Sequence, residues 1–181
     1  ALARMAMLRG ADVTLVSGPV SITPPPFVRV VPVISAQDMY AEITSRAPQS
    51  DYIFMAAAVA DYTPVQYSDD KIKKQDGNMQ ISLKRTQDIL GYLGEHRTDD
   101  QIICGFSMET RDMLENSWAK LQKKHVDMIC ANNLKVPGAG FGVDTNVITI
   151  ITQADTTELP LLSKEEVSNT ILDKAIALSK Q

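Results

Sequence analysis

Short apolar runs alternate along this chain with segments of helical pattern, and this alternation limits its fold more than any other feature. Strands that alternate with helices pair in parallel, and the helices then cover both faces of the sheet. We therefore predict a three-layer, Rossmann-like α/β fold with a mostly parallel sheet and helices on both faces. The predicted strands are residues 12–16, 28–33, 51–55, 79–83, 101–106 and 126–131, and the predicted helices are 36–47, 88–95 and 110–124.

The two ends of the chain complete this pattern. Residues 1–9 have helical composition and Gly10 stands where a helix C-cap would, so the chain begins inside a helix and the strand before it is missing. Residues 146–152 and 157–161 are predicted to form an antiparallel hairpin at the edge of the sheet. Ser35 is a suitable N-cap for the predicted helix 36–47, and Ser163 is one for a last helix.

Length and composition bound the class of protein. The 181 residues are 44% hydrophobic and 22% charged, which fits one globular domain, residues 1–181, with a buried core. A net charge of -4 and a pI near 5.2 give no overall attraction to nucleic acid or to anionic membranes. We find no apolar stretch of membrane-spanning length and no signal sequence, so we expect a cytoplasmic protein with neither nucleic acid nor membrane as partner.

Cysteine and histidine usage indicates no metal site. Cys104 and Cys130 each lie in an apolar strand pattern, where a free buried thiol is the usual state. His96 and His125 are scattered and have no metal-ligand spacing. We expect neither a disulfide nor a structural zinc ion.

The stretch with the clearest chemical character is residues 54–62, FMAAAVADY, at the end of a predicted strand. Its alanine side chains are small enough for a ligand to reach the backbone N–H and C=O groups, and Asp61 can accept a hydrogen bond from that ligand. Small residues at a strand end can equally mean that a helix packs closely. Because ligands of α/β sheets bind beyond the carboxyl ends of strands, this loop is a candidate site.

A lysine cluster follows this loop. Lys71, Lys73 and Lys74 lie in a turn-rich segment, residues 63–78, that we interpret as a flap. Ammonium groups there can neutralise phosphate charge, although a lysine run is more often a solvated face. Together with the alanine loop, on consecutive elements of an α/β pattern, the cluster favours a nucleotide site.

Later elements supply further candidates. Gly105 permits close backbone approach, and Phe106 offers a ring for base stacking, although a lone phenylalanine is more often part of the core. Lys120 and Lys124 are four residues apart and share a helix face, where they also complement the helix dipole. The helix start at residues 88–90 has an aspartate as its cap, and its N–H groups can equally bind an anion.

Phosphate-binding glycine motifs are absent from the sequence, so neither a P-loop enzyme nor a standard dinucleotide-binding domain has local support. The glycine-rich segment 138–142 is not followed by a helix, and we interpret it as a tight loop. Two alternatives stay open: an NAD(P)-dependent oxidoreductase with its fingerprint cut off, and a non-catalytic nucleotide-binding module. The oxidoreductase alternative does not explain the lysine flap. It also requires an acidic or basic residue after the second strand to bind the ribose, and residues 31–35 contain none.

Taken in order, these residues resemble phosphopantothenoylcysteine synthetase, the phosphopantothenate–cysteine ligase of coenzyme A biosynthesis. The resemblance covers essentially the whole chain through residues 11–19, 57–62, 71–74, 105–106 with 109–110, and 127–132. It implies an enzyme that uses CTP, with Mg²⁺, to convert the carboxylate of 4′-phosphopantothenate to an acyl-cytidylate and release pyrophosphate. The amine of cysteine then attacks and releases CMP.

The resemblance also implies roles for individual residues. The nucleoside would be recognised by the backbone of Met55, Ala56 and Ala57, by Asp61 and by Phe106. The triphosphate would be bound by the turn and helix residues Gln87, Asp88, Ile89, Leu90, Lys120 and Lys124. Lys71, the catalytic residue, would close over the phosphates on the flap, where lysines offset the repulsion between a carboxylate and a phosphoryl group.

The chain departs from the family in two places. The family's glycine-rich first loop, with an asparagine implied to hold the acyl-nucleotide, lies before Ala1, so the chain is expected to be truncated, and a catalytically incomplete fragment that still binds nucleotide stays open as an alternative. Thr86 and Gln87 stand where the family usually has Asn-Pro.

Family architecture implies two further partners. Bacterial members are often the C-terminal half of a bifunctional protein whose other half is an FMN-dependent decarboxylase, so FMN would bind outside this chain. The family is also dimeric, and an exposed edge at residues 146–161 or 79–83 is a candidate interface of a homodimer.

Overall fold

The structure is a computed structural model, and it describes residues 1–74, 77–109, 112–133, 139–140 and 142–180. The first half of the described chain contains the elements α1 Leu2–Leu8, β1 Thr14–Ser17, β2 Arg29–Pro32, α2 Ala36–Arg46, β3 Tyr52–Met55, β4 Tyr62–Pro64 and β5 Leu83–Arg85. The second half contains α3 Ile89–His96, β6 Ile102–Glu109, α4 Met113–Lys124, β7 Met128–Asn133, β8 Thr145–Asn146, β9 Ile148–Thr152, β10 Thr156–Glu158, β11 Leu162–Ser163 and α5 Lys164–Leu178.

The central sheet has five strands in the order β10-β9-β7-β6-β3. Strands β3, β6 and β7 are parallel, with Ile53 opposite Ile103 and Phe106 opposite Cys130. Strand β9 pairs antiparallel with β7, and β10 pairs antiparallel with β9 at the edge. The mostly parallel sheet and its hairpin edge are thereby confirmed, while β1 and β2 form a separate parallel pair.

Helices cover both faces of the sheet because its strands alternate their side chains between two hydrophobic clusters. One cluster joins Ile103 and Ile129 to α2, α3 and α4. The other joins Cys104 and Cys130 to α5. Successive residues of a strand point to opposite faces, so the apolar runs of β6 and β7 serve both clusters at once.

Several local predictions are confirmed. Ser35 and Ser163 each cap a helix in a capping box, with Asp38 and Glu166 as the third residue of the respective helix. Both cysteines are free and buried.

Two strand predictions were wrong in their bounds. Residues 79–82 are exposed and lie outside the strands, and the strand there is Leu83–Arg85, which pairs with β4. Alternation at 79–83 did not produce a strand because no core surface covers its apolar side chains. Strand β6 continues past residue 106 to Glu109 because its pairing with β7 continues to Asn133.

Smaller differences concern the C-terminal hairpin and the loops. The predicted strand 146–152 is interrupted at residue 147, which separates β8 from β9. Residues 134–138 and 141 lie outside the described part of the chain, and they include two of the five positions of the predicted loop 138–142. No helix in the described ranges is long and apolar enough to span a bilayer.

Candidate functional site

The loop after β3 lies open to solvent. Ala56, Ala57 and Asp61 are exposed, whereas Met55 is partly buried against the cluster beneath α2 and α3. The loop is held at its far end by Val59, which packs against the same cluster. The arrangement leaves the backbone of residues 56–58 accessible, as the run of small side chains predicts.

A hairpin begins directly after Asp61. Strands β4 and β5 pair antiparallel, and the pairing continues outward as Val65 N donates to Ser82 O at 2.9 Å. Lys71 lies in the connection between the two strands and is exposed. No hydrogen bond or ion pair of Lys71 is found within the described ranges, so neither kind of contact joins it to the other candidate residues.

The next part of the site is the N-terminus of α3. Asp88 caps this helix, and its Oδ1 accepts a hydrogen bond from Gly91 N at 3.0 Å. Gln87 is exposed before the cap, while Ile89 is buried and Leu90 is partly buried after it. The helix therefore presents its first backbone N–H groups beside a carboxylate.

Gly105 has a structural role that differs from the expected one. A Cβ atom at this position would fall 2.7 Å from Leu90 Cδ2 and 2.8 Å from Ile129 Cδ1. The close approach that this glycine permits is therefore made by side chains of the protein, which allows α3 to pack on the sheet.

Phe106 lies within β6 and not in a loop after it. Its side chain is partly buried and packs against the cluster beneath α5. Its carbonyl oxygen accepts a hydrogen bond from Lys120 Nζ at 2.8 Å. The backbone of Phe106 thus meets α4, while its ring lies on the core side that a lone phenylalanine usually occupies.

The two lysines of α4 reach towards neighbouring elements. Lys124 forms an ion pair with Asp88, so the end of α4 is joined to the start of α3. Close packing supports this contact, since a Cβ atom on Gly94 of α3 would overlap Lys124 O at 1.8 Å. Lys120, one turn earlier, is partly buried.

The ion pair changes the acidity of Asp88. Partial burial raises the pKa of this carboxyl, but the hydrogen bonds from Lys124 and from Gly91 N outweigh burial and lower the pKa below its usual value. Asp88 is therefore ionised at neutral pH, and it partly offsets the charge of Lys124.

Sequence reasoning missed a pocket beside this helix start. It has a volume of about 240 Å³ and is lined by Tyr40, Gln87, Asp88, Gly91, Tyr92 and Glu95. Tyr40 and Tyr92 meet edge to face, with ring centroids 5.3 Å apart. The two tyrosines come from α2 and α3, so no local spacing in the sequence could have shown that they lie together.

Comparison with known proteins settles the family. The family model described as the DNA/pantothenate metabolism flavoprotein C-terminal domain matches residues 1–178. This chain belongs to that family. The match confirms the family resemblance that the sequence motifs indicate.

Individual relatives agree with this assignment. The coenzyme A biosynthesis bifunctional protein CoaBC of Bacillus subtilis (strain 168) is 48% identical over 183 residues, which cover 100% of this chain and 45% of that protein. A cysteine/cysteine sulfinic acid decarboxylase from an unknown prokaryotic organism is 43% identical, with 98% of this chain and 50% of that protein covered. The chain thus spans about half the length of the curated relatives it matches.

A solved structure supports the fold. The crystal structure of the C-terminal domain of a coenzyme A biosynthesis bifunctional protein CoaBC has a TM-score of 0.82 and 35% identity. The comparison covers 99% of this chain and 81% of that one. The expected fold class is confirmed.

Proposed function

We propose that this chain is the ligase domain that joins 4′-phosphopantothenate to cysteine in coenzyme A biosynthesis, with CTP as the activating nucleotide. The proposal includes a cytoplasmic location and a place as the C-terminal half of a bifunctional protein. FMN would then bind to the decarboxylase half and not to this chain. Family membership and the relatives named CoaBC support this assignment.

The observation that carries the proposal is the meeting of α3 and α4. Lys124 pairs with the N-cap of α3, and Lys120 lies one turn away on the same face. A helix N-terminus offers N–H donors and partial positive charge, and two ammonium groups beside it suit a polyphosphate. Bound phosphate oxygens would replace the Asp88 carboxylate as the partner of Lys124.

The nucleoside end is proposed at the loop after β3. Accessible backbone at Ala56 and Ala57 and the exposed carboxylate of Asp61, with the partly buried Met55 beside them, suit hydrogen-bonded recognition of a base or ribose. Phe106 would contribute the exposed part of its ring. Gln87, Ile89 and Leu90 would contribute backbone N–H groups to the phosphates.

The proposed chemistry explains why cations gather here. The substrate carboxylate attacks the α-phosphoryl group of CTP, an acyl–phosphate bond forms, and the bond to pyrophosphate breaks. The cysteine amine then attacks the acyl carbon, and CMP leaves. Both reactants of the first step are anions, so Lys71, Lys120 and Lys124 would stabilise the charge that moves to pyrophosphate.

Magnesium would enter the site as part of the substrate, bound to CTP. In the described ranges no group of three or more acidic, histidine or cysteine side chains is arranged to hold a metal ion. Asp88, the carboxylate at the phosphate end, is paired with Lys124. These residues do not build a resident site, so Mg²⁺ would arrive with CTP, coordinated by its phosphates.

Calorimetric titration with CTP and with ATP, in the presence of Mg²⁺, tests the proposal. We expect CTP to bind more tightly than ATP, and the double variant Lys120→Gln, Lys124→Gln to lose about tenfold or more of that affinity, because charge-assisted hydrogen bonds are lost. Lys123→Gln, an exposed neighbour on the same helix, is the matched control and should bind as the unmodified chain does.

Three outcomes would contradict this function. Binding of neither nucleotide would remove the proposed site. Tight binding of NAD(P) without CTP binding would favour the oxidoreductase. CTP binding with no amide formed from phosphopantothenate and cysteine would leave a non-catalytic nucleotide-binding module. In an active chain, Lys71→Ser should lower kcat more than CTP affinity.

We also propose a homodimer. The segment between β4 and β5 exposes a row of apolar side chains, among them Tyr67, Ile72, Met79 and Ile81. The other candidate edge, β10, is short and polar. Apolar exposure of this extent favours the β4–β5 segment as the interface. Sedimentation velocity that finds only monomers at assay concentrations would contradict the dimer.

A further inference from the structure

Thr86 makes two hydrogen bonds to the loop that carries Asp61. Its hydroxyl oxygen, Oγ1, donates to Ala60 O at 2.7 Å, and its backbone N donates to Asp61 O at 2.9 Å. Thr86 immediately follows β5 and is itself partly buried. One residue therefore binds two consecutive carbonyl groups of the alanine loop.

These two carbonyls belong to the peptide planes on either side of the Asp61 Cα atom. A peptide unit is planar, so fixing both planes fixes the two backbone torsions between them. The direction of a side chain from Cα follows from those torsions. Thr86 thus fixes the direction in which the Asp61 side chain leaves the backbone, although it does not touch the carboxylate.

Thr86 is also two residues before Asp88, the N-cap of α3. Its contacts therefore link the Asp61 loop to the helix start within a very short stretch of chain. We propose that Thr86 is a positioning residue that sets the Asp61 carboxylate relative to the N-terminus of α3. It thereby determines recognition of the nucleoside, and not of the phosphates. This inference rests on the proposed nucleotide site.

Thr86→Val and Thr86→Ser separate the hydroxyl from the shape of the side chain. Valine keeps the branched shape and loses the donor, whereas serine keeps the donor. We expect Thr86→Val to weaken CTP binding about three- to tenfold, the range of one neutral hydrogen bond, and Thr86→Ser to restore it. Inorganic tripolyphosphate, which has no nucleoside, should bind Thr86→Val and the unmodified chain equally.

A double-variant cycle with Asp61→Ala supplies a second readout. If Thr86 acts through Asp61, then Thr86→Val should cause no further loss of CTP affinity once Asp61 has been replaced. Thr63→Val is the matched control, because the Thr63 hydroxyl on β4 makes no hydrogen bond within the described ranges. This control should retain the affinity of the unmodified chain.

The outcomes distinguish this inference from the proposed function. An unmodified chain that binds no CTP overturns both. A chain that binds CTP, with Thr86→Val binding equally well, overturns only the role of Thr86. Equal losses for CTP and tripolyphosphate, or additive losses with Asp61→Ala, also overturn it, because they indicate general damage to the site.

Discussion

Ile53 on β3 and Ile103 on β6 lie opposite each other in the central sheet and carry the same side chain. Ile103 is completely buried, whereas Ile53 is partly exposed. Among the described strands, β6 has a neighbour on each side, but β3 pairs only with β6. The difference shows that the neighbours of a strand, and not its own sequence, set its burial.

The same contrast extends through the two halves of the molecule. All five residues of β9 are buried, while β1 and β2, which pair only with each other, contain none that are fully buried. Strands β1 and β2 also contain apolar residues, a leucine and three valines, as β9 contains three isoleucines. A strand of a parallel sheet becomes core only when strands flank it and helices cover it.

The largest expected effect comes from truncating the two opposed isoleucines. Ile103→Ala should lower the free energy of unfolding by about 4 kcal/mol, because a cavity opens in a closed core. Ile53→Ala should cost about 2 kcal/mol or less, because its site is already partly hydrated and can relax. Urea denaturation of both variants measures the difference. Equal losses would break the comparison and show that β3 is as enclosed as β6.

Gly105 within β6 and Gly18 directly after β1 provide a sharper pair. Gly105→Ala should destabilise the chain by about 1–3 kcal/mol, since the new Cβ overlaps Leu90 and Ile129. Gly18→Ala, after β1, should change stability by about 0.5 kcal/mol at most, because no atom lies within 4 Å of its Cβ position. Thermal unfolding of the two variants tests the ranking, and a larger loss at Gly18 would reverse it.

The smallest effect concerns acid stability at the helix starts of the two halves. The pKa of Asp88 lies below its usual value, because Lys124 and Gly91 outweigh burial, and hydrogen bonds from Ser35 lower the pKa of Asp38 in the same direction. The ionised carboxylates of Asp88 and Asp38 therefore stabilise the folded state above the unfolded pKa, about 4. This stabilisation is lost as the pH falls through the lower folded pKa.

Asp88→Asn keeps a cap but removes this pH dependence. Because the Asp88 side chain is 56% exposed, protonation of this carboxylate should lower the free energy of unfolding by well under about 1 kcal/mol. Asp38→Asn is the matched variant on α2. Denaturation curves at pH 7 and pH 3 measure both changes, and an Asp88→Asn variant with the full acid sensitivity of the unmodified chain would contradict the role of the ion pair.

Much of the fold could be predicted from local pattern. Features that depend on residues close in sequence could be recognised there. They include the capping serines Ser35 and Ser163, the apolar runs of β6 and β7, and the C-terminal hairpin. The prediction of a strand at residues 79–83 was wrong, because an alternating pattern forms a half-buried strand only where a core surface is available to cover its apolar side chains. No local signal reports that surface.

The candidate site shows the same division. The alanine loop and the α4 lysines were predicted as site residues from the sequence, and the structure shows that the loop is exposed and that both lysines lie on α4. The pairing of Lys124 with Asp88, the packing of Leu90 against Gly105 and the contacts of Thr86 join residues far apart in the chain. Spacing alone cannot show such contacts.

By itself the sequence determined the succession of strands and helices, their caps, and the chemical types at the ends of the strands. These properties depend on interactions within a few residues, where side-chain period and hydrogen-bonding groups act directly. Only the tertiary structure decided which strands are enclosed, why Gly105 is a glycine, and which residue binds the carbonyl groups of Ala60 and Asp61. Those outcomes depend on close packing and on carbonyl groups of distant segments, whose positions exist only once the chain has folded.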